Sequence, residues 1–297
     1  MNFLWFLEGI RTPIGNEFFQ FVTYLGQELF LLGIICIFYW CINKKFAYQL
    51  GLTYFSAGLC IQTLKITFRI PRPWILDSQF HAVESAVPGA TGYSFPSGHT
   101  QGGTCLFAPL ALRTKRTVLK FLCVFAFLLI GFSRMYLGVH TPKDVLVSMA
   151  ISLLFSLIFW KYTDKLLDNK RNTLLLSVCL GIVSLLVFLY AFIQMNYGGL
   201  PVKYASDCCK AAGAGFGFAI GFYIERTYID FSEKTSRLSG QFLKVLIGLA
   251  GAGLLKFLLS FLSDSSIILK SIEYCILVLW ILVVYPMIFS RFQRKNH

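Results

Sequence analysis

The sequence predicts an all-α fold, a polytopic transmembrane helical bundle of about nine spans. Three observations predict it. Apolar stretches of about 20 residues, the length a bilayer requires, recur along the chain. Only 14% of the residues are charged and 56% are hydrophobic, against about 25% and about 45–50% in soluble domains. Finally, the cations gather in alternate connections between the apolar stretches.

In chain order, residues 1–18 are too short and too polar to cross a bilayer. Phe3, Leu4, Trp5 and Phe6 suit an interfacial helix, with Glu8, Arg11 and Glu17 in water. The spans follow at about 19–42, 47–67, 97–113, 118–138, 142–162, 172–195, 206–225, 242–262 and 270–290. The third is the weakest, since Gly102, Gly103 and Pro109 interrupt it; the flanking loops need a crossing there. The start MNFLWFLEGI has neither a basic n-region nor a small-residue cleavage site, so no cleaved leader is expected. There is no soluble domain, repeat or low-complexity tract.

A net charge of +13 would suit nucleic acid, but the positive charge sits mainly in short loops, so no nucleic acid partner is expected. One set of loops holds Lys44 and Lys45; Arg113, Lys115, Arg116 and Lys120; Lys161, Lys165, Lys170 and Arg171; Arg226, Lys234, Arg237 and Lys244; and Arg291, Arg294 and Lys295. That is 17 of the 27 basic residues. If all nine stretches cross, these loops share one side. The asymmetry predicts a cytoplasmic C-terminus and an extracytoplasmic N-terminus. The nine cysteines show neither metal-ligand spacing nor a disulfide framework; they read as small buried apolar residues.

Three segments carry charge where the composition disfavours it: KITFRIPRP (65–73), PSGH (96–99) and SRMYLGVHTPKD (133–144). Ionisable groups in such a chain are costly and usually functional. On the predicted topology all three fall on the extracytoplasmic face. In the last segment Thr141 suits an N-cap, Pro142 the first helical position and Asp144 the third. Asp144 can then turn back toward His140, fix its tautomer and leave the other ring nitrogen free to attack. Arg134 reaches the space in front of His140 across a turn through Gly138. In the second segment Ser97 caps a helix and Gly98 lets a ligand approach the backbone. The helix start offers N–H groups to phosphate, and His99 suits a general acid. In the first, Pro71 and Pro73 stop the helix and lock Arg72 between them. Lys65 and Arg72 are complementary phosphate partners, a point charge and a fork. Taken singly, each segment also reads as a cap, a turn or a snorkelling cation. Arg69 reads as snorkelling and is left out of the site.

Together these residues fit K-x6-R-P, P-S-G-H and S-R-x5-H-x3-D at Lys65, Arg72, Pro73, Pro96, Ser97, Gly98, His99, Ser133, Arg134, His140 and Asp144. The pattern resembles the type 2 phosphatidic acid phosphatase (PAP2) superfamily, which includes vanadium haloperoxidases and glucose-6-phosphatase. The resemblance covers about residues 20–165. It implies that His140 is the nucleophile and forms a phosphohistidine, that Asp144 orients it, and that His99 is the general acid. It implies that Lys65, Arg72, Ser97, Gly98 and Arg134 hold the phosphoryl oxygens, and that no metal or other cofactor is needed. Which histidine attacks and which donates is settled only by the resemblance. It further implies a six-helix catalytic core, here 19–165 and extending to about 195, preceded by the interfacial segment 1–18 and followed by additional transmembrane helices over 196–297.

The function expected is an integral membrane phosphatase for a lipid or isoprenyl phosphate or diphosphate, such as undecaprenyl diphosphate or phosphatidic acid, acting at the extracytoplasmic face. Its partners are that substrate and membrane lipids. The alternatives are a non-enzymatic transporter of a phosphorylated lipid and a phosphatase for a soluble sugar phosphate. Gly213, Gly217 and Gly221 recur every four residues, which permits close helix packing, within one subunit in preference to a homo-oligomer seam. Glu28 lies inside the first span, and Glu225 falls at the cytoplasmic interface.

Overall fold

The computed structural model describes residues 1–233, 238–263 and 266–295. The loop cations Lys234 and Arg237, and the side chains of Arg294 and Lys295, lie outside them. Among the described residues the fold is all-helical, and the protein is a multi-pass integral membrane protein. The helices are α1 (Asn2–Gly9), α2 (Pro13–Tyr24), α3 (Glu28–Ile37, continued by a π-turn to Ile42), α4 (Lys44–Phe68), the short α5 (Pro73–Leu76), α6 (Gly98–Arg113), α7 (Thr117–Tyr136), α8 (Pro142–Leu166), α9 (Lys170–Asn196), α10 (Val202–Ile224), α11 (Leu238–Ser263), α12 (Ile267–Leu279) and α13 (Tyr285–Lys295).

Each of the nine expected spans is occupied by helix, but five helical stretches are long and apolar enough to cross a bilayer by themselves: 117–136, 142–166, 170–196, 239–263 and 267–291. A sixth arises if α2 and α3 count as one span bent by 44°. The shortfall lies in α4, α6 and α10. The first and last carry many polar and small residues, and α6 has only 16. The bend breaks the expected span 19–42, and Gly26 explains it. A Cβ on Gly26 would stand 2.5 Å from the His99 carbonyl, and one on Gly102 would stand 2.5 Å from the Gly26 carbonyl. Two backbones therefore touch at the first turn of α6.

The chain forms two compact units, residues 1–32 with 60–160, and residues 33–59 with 161–297. In the first, α2 and α6 pack on α7. Leu4 and Leu7 of α1 bury themselves against Phe80. Thr12 caps α2, accepting from the Gly15 N–H at 3.1 Å, with Pro13 at the first helical position. Of the three N-terminal charges expected in water, only Glu17 is exposed. Glu8 accepts from the His81 N–H at 3.3 Å, and the Arg11 Nε donates to the Tyr136 carbonyl at 2.8 Å. The 74–95 connection supplies the first partner and the end of α7 the second.

In the second unit α10 packs on α9 and α12. A Cβ on Gly213 would meet the Ser271 carbonyl at 2.0 Å, and one on Gly217 the Cys275 carbonyl at 2.6 Å. The glycine series is thus a seam within one chain. Glu225 is fully buried; it accepts from Lys44 Nζ at 3.0 Å and from the Phe231 N–H at 3.2 Å. Lys256, inside a span, pairs with the buried Glu273. Glu28 opens α3 with its side chain exposed. The nine cysteines are free thiols; Cys179 is exposed, against expectation, because it lies on an outward face of the apolar α9.

Candidate active site

All eight candidate residues lie in the first unit, at the end of α4, the start of α5, the start of α6, and the turn from α7 into α8. The start of α6 is fixed from two directions. Ser97 is its N-cap: its Oγ accepts from Thr100 Oγ1 at 3.0 Å and from the Thr100 N–H at 3.4 Å. The Ser97 N–H donates to the Asp144 carbonyl at 3.1 Å. Ser148 Oγ of α8 donates to the Ser97 carbonyl at 2.6 Å. The first N–H groups of a helix have no partner inside it, and a Cβ on Gly98 would meet nothing within 4 Å. Backbone donors thus border open space. His99, on the first turn, is half-buried and feels the charges of Arg134, Lys65 and Arg72.

In the last turn of α7, the Ser133 hydroxyl bonds back to the Ile130 carbonyl at 2.7 Å and so faces its own helix. Gly138 takes a positive φ of 76°, a conformation that favours glycine. The Val139 and His140 N–H groups both donate to the Arg134 carbonyl, at 3.1 and 3.2 Å. Thr141 and Asp144 then form the expected capping box: the Thr141 N–H donates to Asp144 Oδ2 at 2.8 Å, and the Asp144 N–H to Thr141 Oγ1 at 3.4 Å. This box turns the carboxylate back onto the histidine, with His140 Nδ1 at 3.4 Å from Asp144 Oδ2. Ser94 Oγ donates to the same oxygen at 2.5 Å.

Arg72 is buried and extended between its two prolines. Its guanidinium donates to the carbonyls of Gly92 (3.1 Å), Thr91 (2.6 Å) and Val139 (2.9 Å). Its Nη1 also lies 2.9 Å from His140 Nε2. A guanidinium is donor-only, so Nε2 is the acceptor and the His140 proton resides on Nδ1, facing Asp144. Burial first, then the charges of Arg72, Arg134 and Lys65, holds the His140 imidazole well below its ordinary range; the ring is neutral at pH 7 and carries a lone pair on Nε2. Lys65 Nζ donates to the Tyr93 carbonyl at 3.0 Å. Arg72 and Lys65, expected as phosphate ligands, therefore also brace the 91–95 segment.

Arg134 is 1% exposed. Its Nη1 donates to Thr23 Oγ1 at 2.7 Å, while Nε and Nη2 are buried with no hydrogen-bond partner. A buried guanidinium with open donors is costly and fits a bidentate anion. Among the described residues no group of three His, Cys, Asp or Glu side chains is placed to hold a metal ion. Sequence reasoning passed over Thr23 and Ser94. Ser94 stands two residues before the P-S-G-H segment and had a positional signal. Thr23 lies 111 residues from Arg134 in an apolar helix and had none.

Comparisons with known proteins give the family of the chain that carries this arrangement. The PAP2 superfamily matches residues 46–168, and the PAP2 superfamily phosphatase transmembrane extension matches 209–297. The chain belongs to the PAP2 superfamily. The PAP2 match spans Lys65 through Asp144, so every candidate residue falls inside it. Among curated PAP2 relatives, undecaprenyl-diphosphatase BcrC of Bacillus subtilis is 33% identical over 42% of this chain and 61% of its own length. Phosphatidylglycerophosphatase B of the same organism is 28% identical over 53% of this chain and 79% of its own. Human sphingosine-1-phosphate phosphatase 2 is 27% identical over 74% of this chain and 55% of its own. The PAP2 chain thus spans less than two-thirds of the first and third. The crystal structure of Aquifex aeolicus LpxE aligns at a TM-score of 0.43 and 26% identity, over 54% of this chain and 93% of that one.

Proposed function

We propose that this PAP2 protein is an integral membrane phosphatase that hydrolyses a lipid or isoprenyl phosphate or diphosphate at the extracytoplasmic face, through a phosphohistidine and without a metal. The observation that carries the reading is the pair of open, buried donors on Arg134 beside a neutral His140 whose Nδ1 faces Asp144. The phosphoryl oxygens take the Arg134 Nε and Nη2 donors, the Arg72 and Lys65 charges, the Ser97 hydroxyl and the Gly98 N–H. His140 Nε2 attacks phosphorus as the bond to the leaving oxygen breaks, and His99, protonated once the bound phosphate's negative charge offsets the cations around it, gives that oxygen its proton. Asp144 stabilises the positive ring that results. Water, its proton taken by His99, then attacks the phosphohistidine; the P–N bond breaks and inorganic phosphate leaves.

Substrates with apolar tails are favoured by three exposed residues close in sequence to Arg72: Phe68 (56% exposed), Ile75 (64%) and Leu76 (52%). The relatives' names, which are those of phosphatases for isoprenyl, glycerol and sphingoid lipids, point to the same class. A transporter would have use for the cations but none for the His140–Asp144 pair. The test is phosphate release by purified protein from a panel of lipid phosphates, lipid diphosphates and a sugar phosphate. Turnover of a lipid substrate that survives EDTA and is inhibited by vanadate, a mimic of five-coordinate phosphorus, is expected. Turnover that vanishes with EDTA and returns with magnesium would sink the metal-free mechanism. A preference for the sugar phosphate would sink the lipid assignment.

The face of the membrane is read from the asymmetry of the loop cations and, within the first unit, from the cations at 113–120, which lie where α6 ends and α7 begins, at the far ends of those helices from His99 and Arg134. This reading needs α4, α6 and α10 to cross as well. A membrane-impermeant maleimide on intact cells is expected to modify Ser78→Cys and to leave Lys115→Cys untouched, both positions being exposed. The reverse pattern would place the site in the cytoplasm.

A further inference from the structure

We propose that Arg11, in the N-terminal segment outside all the catalytic motifs, is a positioning residue for the nucleophile, holding the turn that presents His140. This rests on His140 acting as proposed above. The turn has two ends. At one, Val139 is held through its carbonyl by Arg72 Nη1 at 2.9 Å. At the other, Arg11 Nε donates to the Tyr136 carbonyl at 2.8 Å, the last residue of α7. Arg11 Nη1 donates to the His81 carbonyl, and the Leu137 carbonyl accepts from the Val83 N–H at 3.0 Å. One guanidinium thereby joins the 81–83 segment to the turn four residues before His140.

The fit around the turn is close. A Cβ on Gly138 would stand 2.5 Å from Arg11 Nη2 and 3.0 Å from the Phe80 ring, and the Arg11 guanidinium lies over that ring at 5.4 Å. The next residue continues the attachment, since the Thr12 N–H donates to Tyr136 Oη at 3.1 Å. Glu8, one helical turn before Arg11, accepts from the His81 N–H and so fixes the second carbonyl that Arg11 binds. The main chain after His140 is held by the Thr141 N–H on Asp144 Oδ2 at 2.8 Å; the main chain before it relies on the turn. The His140 N–H bonds the Arg134 carbonyl at 3.2 Å, and Arg72 grips the residue before it. A nucleophile displaced by about 1 Å can lose roughly 100-fold in rate, so restraint at both ends of the turn bears directly on the chemical step.

The test uses the full chain in detergent. Arg11→Ala is expected to lower kcat by about 10- to 100-fold with KM within about twofold, since no phosphate ligand is removed. Amide exchange in the peptide 135–141 is expected to quicken. Arg11→Lys is expected to behave like the alanine variant, because one ammonium does not reproduce a planar fork spanning two carbonyls. Added guanidinium ion is expected to restore part of kcat to Arg11→Ala and none to Arg11→Lys. Glu17→Ala, an exposed change on α2, serves as the control with unchanged kcat. Unchanged kcat, faster exchange with full kcat, or lost kcat without faster exchange at 135–141 would each overturn the proposal. Retained turnover in His140→Ala would instead overturn the site reading, and the exchange result would still decide whether Arg11 holds the turn.

Discussion

Replacing His140 with alanine is expected to lower kcat by on the order of 10⁴-fold or more, the scale on which a covalent nucleophile is lost. The protein should remain folded. Arg72, which contacts Nε2, keeps its carbonyl partners at Thr91, Gly92 and Val139. The capping box between Thr141 and Asp144 does not involve the imidazole. His140→Asn, closer in size, should be as inactive, which separates lost chemistry from a lost side-chain volume. The measurement is single-turnover phosphate release, together with labelling of the protein by a radiolabelled substrate quenched in alkaline detergent. Wild-type protein should carry an acid-labile phosphoryl group, and both variants should carry none. Substantial turnover in either variant would remove His140 from the nucleophile role.

Asp144→Asn is expected to lower kcat by about 10³- to 10⁴-fold with a small change in KM, by analogy with the loss of a histidine-orienting carboxylate elsewhere. Asp144 Oδ2 accepts from Ser94 Oγ and the Thr141 N–H and faces His140 Nδ1. An amide can place an oxygen there, so the helix start survives. It has no negative charge to stabilise the positive ring once phosphorus bonds to Nε2, and an amide flipped the other way would drive the tautomer that puts a proton on the attacking nitrogen. Ser94→Ala, which removes one donor and no charge, should cost far less. Near-normal kcat for Asp144→Asn would mean that the carboxylate only caps α8. Equal losses from Asp144→Asn and Ser94→Ala would point to geometry rather than charge.

The turn into α8 was legible residue by residue, because Thr141, Pro142 and Asp144 are local signals: a cap, a first-turn proline and a third-position carboxylate act over four residues. The stop after α4 was legible for the same reason, through Pro71 and Pro73. What sequence did not reveal was long-range. The Thr23 hydroxyl serves Arg134 across the whole catalytic segment, and an apolar helix gives no hint which of its polar side chains will be needed. Arg11 read as a solvated charge because its partners are two backbone carbonyls, and carbonyls belong to every residue alike. The bend at Gly26 also escaped notice, since a glycine in an apolar stretch does not say which backbone it will touch. Hydropathy and length alone pick out fewer spans than the nine expected, because α4 and α10 carry polar and small residues and α6 is short.

The contact between Arg72 Nη1 and His140 Nε2 has a consequence for the resting protein. The most reactive nitrogen in the site is covered by a cation, and it stays covered until something more attractive to that cation arrives. A phosphoryl group is such a visitor; a neutral alkylating or acylating reagent is not. On the proposed mechanism, arrival of the substrate and unveiling of the nucleophile are a single event, and the same arginine that is proposed to bind the phosphate shields the histidine from other electrophiles.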